Sequence, residues 1–235
     1  MFKYETHCHT SEVSKCAIRT AVDTVEFYKN RGYDGIFITD HFLNGNTAVN
    51  RNQPWENKIK DFCISYELAK KQGDQIGIDV FFGWEYTYNY RGKGDKYCGG
   101  NDFLTYGLDK EWLLSHPEIM ELELHEYCEF IRSEGGFIIH AHPFRDSSYI
   151  DMIRLAPNDV DGIEVLNSSR PESENKIAEI FADHYGLLKT SGSDNHGNER
   201  PLISGIMTKT RITSPKDMLA KLKSGETEIF VENLY

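Results

Sequence analysis

Residues 135–143 read Gly135-Gly136-Phe137-Ile138-Ile139-His140-Ala141-His142-Pro143. The two glycines close a helix-like segment, and the apolar run behind them has the length and β-branched content of a buried strand. That strand ends on two histidines and a proline, which forces the chain into an extended or turn geometry and stops the pairing. The same plan recurs on either side. Phe2–Thr6 leads into His7-Cys8-His9, Gly35–Thr39 into Asp40-His41, and Asp79–Trp84 into Glu85. Gly162–Leu166 carries Glu164, and Leu188–Ser191 leads into Ser193-Asp194-Asn195-His196. Asp102–Tyr106, Ser204–Thr210 and Glu228–Glu232 complete the candidate strands. Between them, Thr20–Asn30, Glu118–Ser133, Arg170–Tyr185 and Lys216–Lys223 read as helices, the last three bounded by Pro or Gly. This alternation predicts an α/β fold with a mostly parallel sheet, and seven or more such units in 235 residues predict a TIM-like barrel forming one domain, residues 1–235. Asn44–Trp55 and Asn89–Asn101 read as polar loops beside a site.

A barrel of this kind presents its chemistry where strands end. Six of the nine histidines fall at such ends, while His116, His125 and His184 lie in helix-like segments and read as surface or packing residues. On an extended backbone His7 and His9 leave the same face about 7 Å apart, so two imidazoles can converge on one ion, while Cys8 points into the packing. His140 and His142 repeat that spacing. Glu85 follows a strongly apolar run, where an unpaired carboxylate would cost several kcal/mol, so a cation is expected to meet it. Mixed imidazole and carboxylate ligands suit zinc, manganese or iron, and two or three divalent ions are expected.

Composition narrows the partners. With 39% hydrophobic residues, the chain has apolar surface enough for a sizeable core. A formal net charge of −11 without a basic run opposes a nucleic-acid duplex, and carboxylates gathered around cations offer a second reading of that charge. No apolar window is long enough to span a membrane, and the first residues show no secretory pattern. Five scattered cysteines, Cys8, Cys16, Cys63, Cys98 and Cys128, then fit reduced thiols and a cytoplasmic location. No P-loop and no GxGxxG is present, so no nucleotide cofactor is expected.

Taken in order, HCHT, ITDH, GWE, AHP and GSDNH resemble the PHP (polymerase and histidinol phosphatase) family over residues 4 to about 197. The resemblance implies a distorted (β/α)7 barrel with a di- or trinuclear metal centre and phosphoesterase activity. It implies a first metal site of His7, His9, Glu85 and Asp194. Glu85 would bridge to a second ion that His142 also binds, and His41 and His196 would serve a third. Asp40 falls behind the ligands, and His140 behind them or towards substrate. Many members place a histidine or aspartate a few residues after HxH, where this chain offers Glu12 or Cys16. Many also carry a histidine on the fourth strand, where Asp102 would stand in as an oxygen ligand. Arg145, three residues past His142, is placed to meet a phosphate with a bidentate fork, and Arg170 is a second such residue.

The expected activity is hydrolysis of a small phosphate ester, a phosphomonoester or short nucleotide, by a metal-activated water, with Glu85, Asp194, His196 and Arg145 as the catalytic set. The alternatives are a metal-dependent amidohydrolase acting on a C–N bond, and a non-catalytic metal-binding module.

Overall fold

The computed structural model describes residues 1–88, 101–148, 150, 152–198 and 201–234. Cys98 and most of the predicted loop Asn89–Asn101 lie outside them. The chain runs β1 (Phe2–Cys8), α1 (Ala21–Lys29), β2 (Gly35–Ile38), α2 (Trp55–Ile76), β3 (Asp79–Tyr88) and β4 (Asn101–Tyr106). It continues through α3 (Lys110–Ser115), α4 (Leu124–Ser133), β5 (Phe137–His140), β6 (Gly162–Asn167), α5 (Glu172–Tyr185), β7 (Leu188–Gly192), β8 (Leu202–Thr208), α6 (Pro215–Ser224) and β9 (Thr227–Asn233).

All nine strands form one sheet in the order β7-β6-β5-β4-β3-β2-β1-β8-β9, so β1 to β7 follow one another in chain order. The sheet curls until the end of β7 meets β1. There Cys8 bridges Asn195, and His9 N–H donates to the Asn195 carbonyl at 2.9 Å. The result is a nearly closed, barrel-like α/β structure. It departs from the mostly parallel sheet expected, because β4 runs antiparallel to both neighbours and β8 to both of its own. Chain direction is a long-range property that a local period of two does not carry.

Helix boundaries follow their local chemistry. Thr20 caps α1 by accepting from Asp23 N, and Ser214 caps α6 by accepting from Asp217 N. The predicted helix Glu118–Ser133 is broken in two. Pro117–Met120 is a 3-10 turn, and α4 starts afresh behind Glu123, which exchanges capping hydrogen bonds with Glu126. The 22-residue α2 goes beyond the elements expected from the sequence. Its buried Ile59, Phe62, Cys63 and Ala69 recur at helical spacing, and it stops at Gly77 in the left-handed region (φ 74°).

The apolar groups fall into three clusters. One lies under α2, α3 and α4 around Trp84, Phe103 and Tyr127, and a second under α1 around Val25, Tyr28 and Ile36. In the third, Tyr4, Phe37, Leu104, Phe137 and Ile206 bring five strands together with Met218 of α6. Beyond this third cluster the strands exchange apolar side chains for polar ones that are equally buried.

Candidate metal centre

His7 and Glu85 lie inside strands, while His9, His41, His142, Asp194 and His196 follow strand ends. Their side chains converge. His7 Nε2 and His9 Nε2 are 3.1 Å apart, and both face Asp194 Oδ1, at 3.5 and 3.2 Å. Glu85 Oε1 stands 3.3 Å from His7 Nε2 and 3.4 Å from His142 Nε2, and its Oε2 stands 2.5 Å from His41 Nδ1. Asp102 joins at 3.9 Å from His142 Nε2. The His9 ring stacks against His41 and His196, with centroids 4.4 and 4.2 Å away.

Four overlapping triads have ligand atoms within 4.8 Å of one another: His7/His9/Glu85, His7/His142/Asp194, Glu85/Asp102/His142 and His9/His41/His196. Among the described residues, His142 Nε2 is buried without a hydrogen-bond partner, and His41 Nδ1 and Glu85 Oε2, though close to each other, meet without the geometry of a hydrogen bond. Such atoms are costly unless a cation meets them, so the donor set fits divalent ions of the zinc, manganese or iron type.

A layer of buried polar groups aims the imidazoles. His7 Nδ1 lies 3.0 Å from Glu164 Oε1, His9 Nδ1 3.2 Å from Ser14 Oγ, and His196 Nδ1 donates to the Asp194 carbonyl at 2.9 Å. Holding Nδ1 in this way leaves Nε2 as the inward donor atom. Glu164 Oε2 also accepts from His142 N–H at 3.0 Å and from Asn167 Nδ2 at 2.9 Å. Asp40 takes no direct part and instead accepts from Thr10, Ser14 and Ser65, each hydroxyl at 2.7 Å. Glu5, which sequence reasoning missed, accepts from His7 N, Ser193 N and Tyr28 OH at 2.7 to 2.9 Å, and from Ser193 Oγ at 2.5 Å. Its one local signal is its place in β1, two residues before His7. Gly192 lets β7 approach this closely, because a Cβ there would lie 2.4 Å from His7 Cβ. His142 (φ 29°) and Asp194 (φ 50°) are, among the described residues, the only non-glycines with positive φ, a strain that clusters at functional sites.

Charge is strongly sorted. Burial works against the charge on His7, but Glu164 and Asp194 outweigh it and raise its pKa well above normal. Burial, with His196 and His41 beside it, pushes His9 well below. Burial would raise Glu85, yet His41, His142 and His7 hold it well below the usual carboxylate range, and the histidines hold Asp194 low in the same way. Burial and the Glu85 charge raise Asp102. Burial opposes a thiolate at Cys16, but hydrogen bonds to His196 and His41 bring its pKa down to about 6.

Other candidates fall elsewhere. β5 stops at His140, so His140 and His142 do not share a strand face. His142 turns in the left-handed region, while the His140 ring stacks on Phe103 at 4.5 Å. Burial and the His142 charge lower His140 to about 3, a neutral packing group with no hydrogen bond on either ring nitrogen. Both Glu12 oxygens accept Ala21 N–H, at 3.0 and 2.9 Å, at the first turn of α1. Arg145 lines a small cleft with Asp102 and His142. Arg170 is paired to Glu174, with Nε to Oε2 at 2.7 Å and Nη2 to Oε1 at 2.9 Å.

No protein-family model and no curated protein matches the chain. Solved structures do. A two-domain protein from Bacteroides vulgatus, described as containing a PHP-like metal-dependent phosphoesterase by prediction, superposes over 97% of this chain with TM-score 0.68 at 18% identity. The chain spans 64% of that protein's length. A protein from Bifidobacterium adolescentis, provisionally described as a metal-dependent phosphoesterase, matches over 85% of this chain and 90% of its own (TM-score 0.58, 16% identity). An amidohydrolase from Chromobacterium violaceum, with bound sulfate and no metal, matches over 83% and 87% (TM-score 0.56, 15% identity). At these identities the likeness concerns the backbone arrangement alone: the chain shares the fold of these structures, two of which are described as metal-dependent phosphoesterases.

Proposed function

We propose that the chain is a metal-dependent hydrolase of a small phosphate ester, a phosphomonoester or short nucleotide. Two or three divalent ions would be held by His7, His9, Glu85 and Asp194, by Glu85, His142 and Asp102, and by His41 and His196. The observation that carries this reading is the convergence of buried ligand atoms without hydrogen-bond partners at the centre of four interlocking triads. When bound, such ions polarise a phosphoryl oxygen and make water easier to deprotonate. Arg145, beside Asp102 and His142, would orient the phosphate through its planar fork. Asp194 and the rim residue His196, whose Nδ1 lies 3.5 Å from Asp194 Oδ1, would move a proton between water and leaving group. The net charge of −11 favours a small anion met by ions and one arginine over a duplex, which needs many phosphate contacts.

The amidohydrolase fold neighbour supports a second reading, cleavage of a C–N bond. Elemental analysis and a phosphate-release screen over sugar phosphates, histidinol phosphate and nucleotides separate the two. Phosphate release that falls in Arg145→Ala is expected. Turnover of an amide or amidine without phosphate release would favour the second reading. A metal content below about 0.5 ion per chain after incubation with zinc, manganese or iron would end both.

A further inference from the structure

A cleft of about 520 Å³ is lined by residues of β6, α5, β8 and β9, and none of the metal-centre groups belongs to it. The side chains that the strands give it are apolar: Val165, Leu166, Leu202, Ile229 and Val231. Leu202 and Val231 are 38% and 49% exposed, so much of this apolar surface meets solvent. The charges lining it already have partners. Lys176 Nζ lies 2.7 Å from Glu172, Arg170 Nε 2.7 Å from Glu174, and Glu179 3.5 Å from Lys189 Nζ. Ser168 also lines the cleft, and among the described residues its buried Oγ has no hydrogen-bond partner. Hydrogen bonds join this lining to the metal centre. Asn175 holds Asn167 by both backbone groups, accepting its N–H and donating to its carbonyl, each at 3.1 Å. Asn167 Nδ2 in turn donates to Glu164, the acceptor behind His7 and His142. Asn167 Oδ1 accepts Ser169 N–H at 2.9 Å, and Ser169 Oγ donates to the carbonyls of Ser193 and Asp194 at 2.6 and 3.2 Å.

We propose that this cleft is a second binding site, for a small uncharged molecule with an apolar body and one hydrogen-bonding group, and that its occupancy is felt at the turn bearing Asp194. The site goes beyond the hydrolase reading and does not depend on it. Its volume falls within the roughly 300–1,000 Å³ usual for small-molecule sites, which combine an apolar lining with a few polar groups. A charged ligand would have to compete with an ion pair, whereas an uncharged one leaves all three pairs intact and offers a partner to Ser168 Oγ. Covering the exposed parts of Leu202 and Val231 supplies the driving force. Because Asn167 and Ser169 share hydrogen bonds with both regions, a ligand that fixes residues 167–170 restrains the Ser193–Asp194 turn as well.

The full-length chain is titrated with N-phenyl-1-naphthylamine, an uncharged fluorescent probe, and 1-octanol is added to displace it. Saturation at about one probe per chain, reversed by octanol, is expected. Leu202→Glu and Val231→Glu place a charge on side chains that already meet solvent, and each is expected to weaken probe binding at least about tenfold. Amide hydrogen exchange is read by mass spectrometry on peptides covering 166–170 and 192–196. Bound probe is expected to slow it at least about threefold in both for the wild type, and in neither for the two variants. Binding that does not saturate, or that survives both substitutions, would overturn the proposal. Protection confined to 166–170, with none at 192–196, would also overturn it. A wild type that sediments as a dimer, with Leu202→Glu a monomer, would give the cleft to a second copy of the chain instead.

Discussion

The inner and outer parts of the centre are built differently. Around His7, Glu85 and Asp194 every orienting group comes from a strand or its immediate end: Glu5 from β1, Glu164 from β6, and the turn after β7. Around His41 and His196 the support is a loop, residues 11–19, sewn to two other loops by backbone hydrogen bonds. Strands packed in a sheet fix positions to a fraction of an ångström, while a loop held at its edges is easier to displace. The difference teaches that the inner groups are preset for charge they share, whereas the outer site depends on loop anchoring.

The sharpest way to break this comparison is Glu85→Gln set against His41→Ala. Glu85 faces His7, His41 and His142 at once, so losing its charge is expected to cost about 10²–10³-fold or more in steady-state phosphate release at saturating metal. His41→Ala is expected to cost less. If it costs more, the outer site is the essential one.

Next in size is Glu164→Gln, which leaves His7 Nδ1 and His142 N–H with a weaker acceptor. A loss of about 10–100-fold in metal affinity is expected, read by competition with a chelator, because an orienting partner is typically worth that much. An unchanged affinity would mean that packing alone orients His7.

Glu5 sharpens the comparison through pH. Burial raises its pKa from 4.5 to about 7, against the pull of Ser193, His7 and Tyr28. Its folded pKa is raised, so between pH 4.5 and about 7 the folded state binds more protons than the unfolded one. Stability from this group is therefore full below the lower value and falls as pH rises through the window. The metal-free wild type is expected to lose a few kcal/mol more between pH 4.5 and 7.5 than Glu5→Gln does, by urea unfolding, at about 1.36 kcal/mol per pKa unit. Parallel curves for the two would place the titration elsewhere.

The smallest effect is expected at Glu12→Ala. Removing its hold on Ala21 N–H should cost about 1 kcal/mol, as losing a helix cap does, with bound zinc unchanged. A drop in zinc content would show that Glu12 reaches the outer site.

Much of this was legible in the chain itself. An apolar run ending on His-Ala-His-Pro announces a buried strand that ends at polar groups, because local period and burial cost need no knowledge of the rest of the fold. The same reasoning put His7, His9, His41, Glu85, His142, Asp194 and His196 among the candidates beside Asp40 and His140, the family resemblance singled out those seven, and the structure brings them together. Helix α2 was also legible in principle, since Ile59, Phe62 and Cys63 keep helical spacing among many charged residues. What only the tertiary structure decided depends on strand direction and distant pairing. Asp102 reaches the site from the start of β4, because β4 runs antiparallel and its first residues lie where the parallel strands end. His140, with the same spacing to His142 as His7 to His9, turned into the packing when the strand stopped beneath it. Glu5 found its donors 188 residues away at Ser193, and Glu12 and Cys16, four apart in one loop, were sent to a helix end and a histidine pair. Local sequence sets which groups cannot be left alone in the interior; only the closed sheet determines which partners reach them.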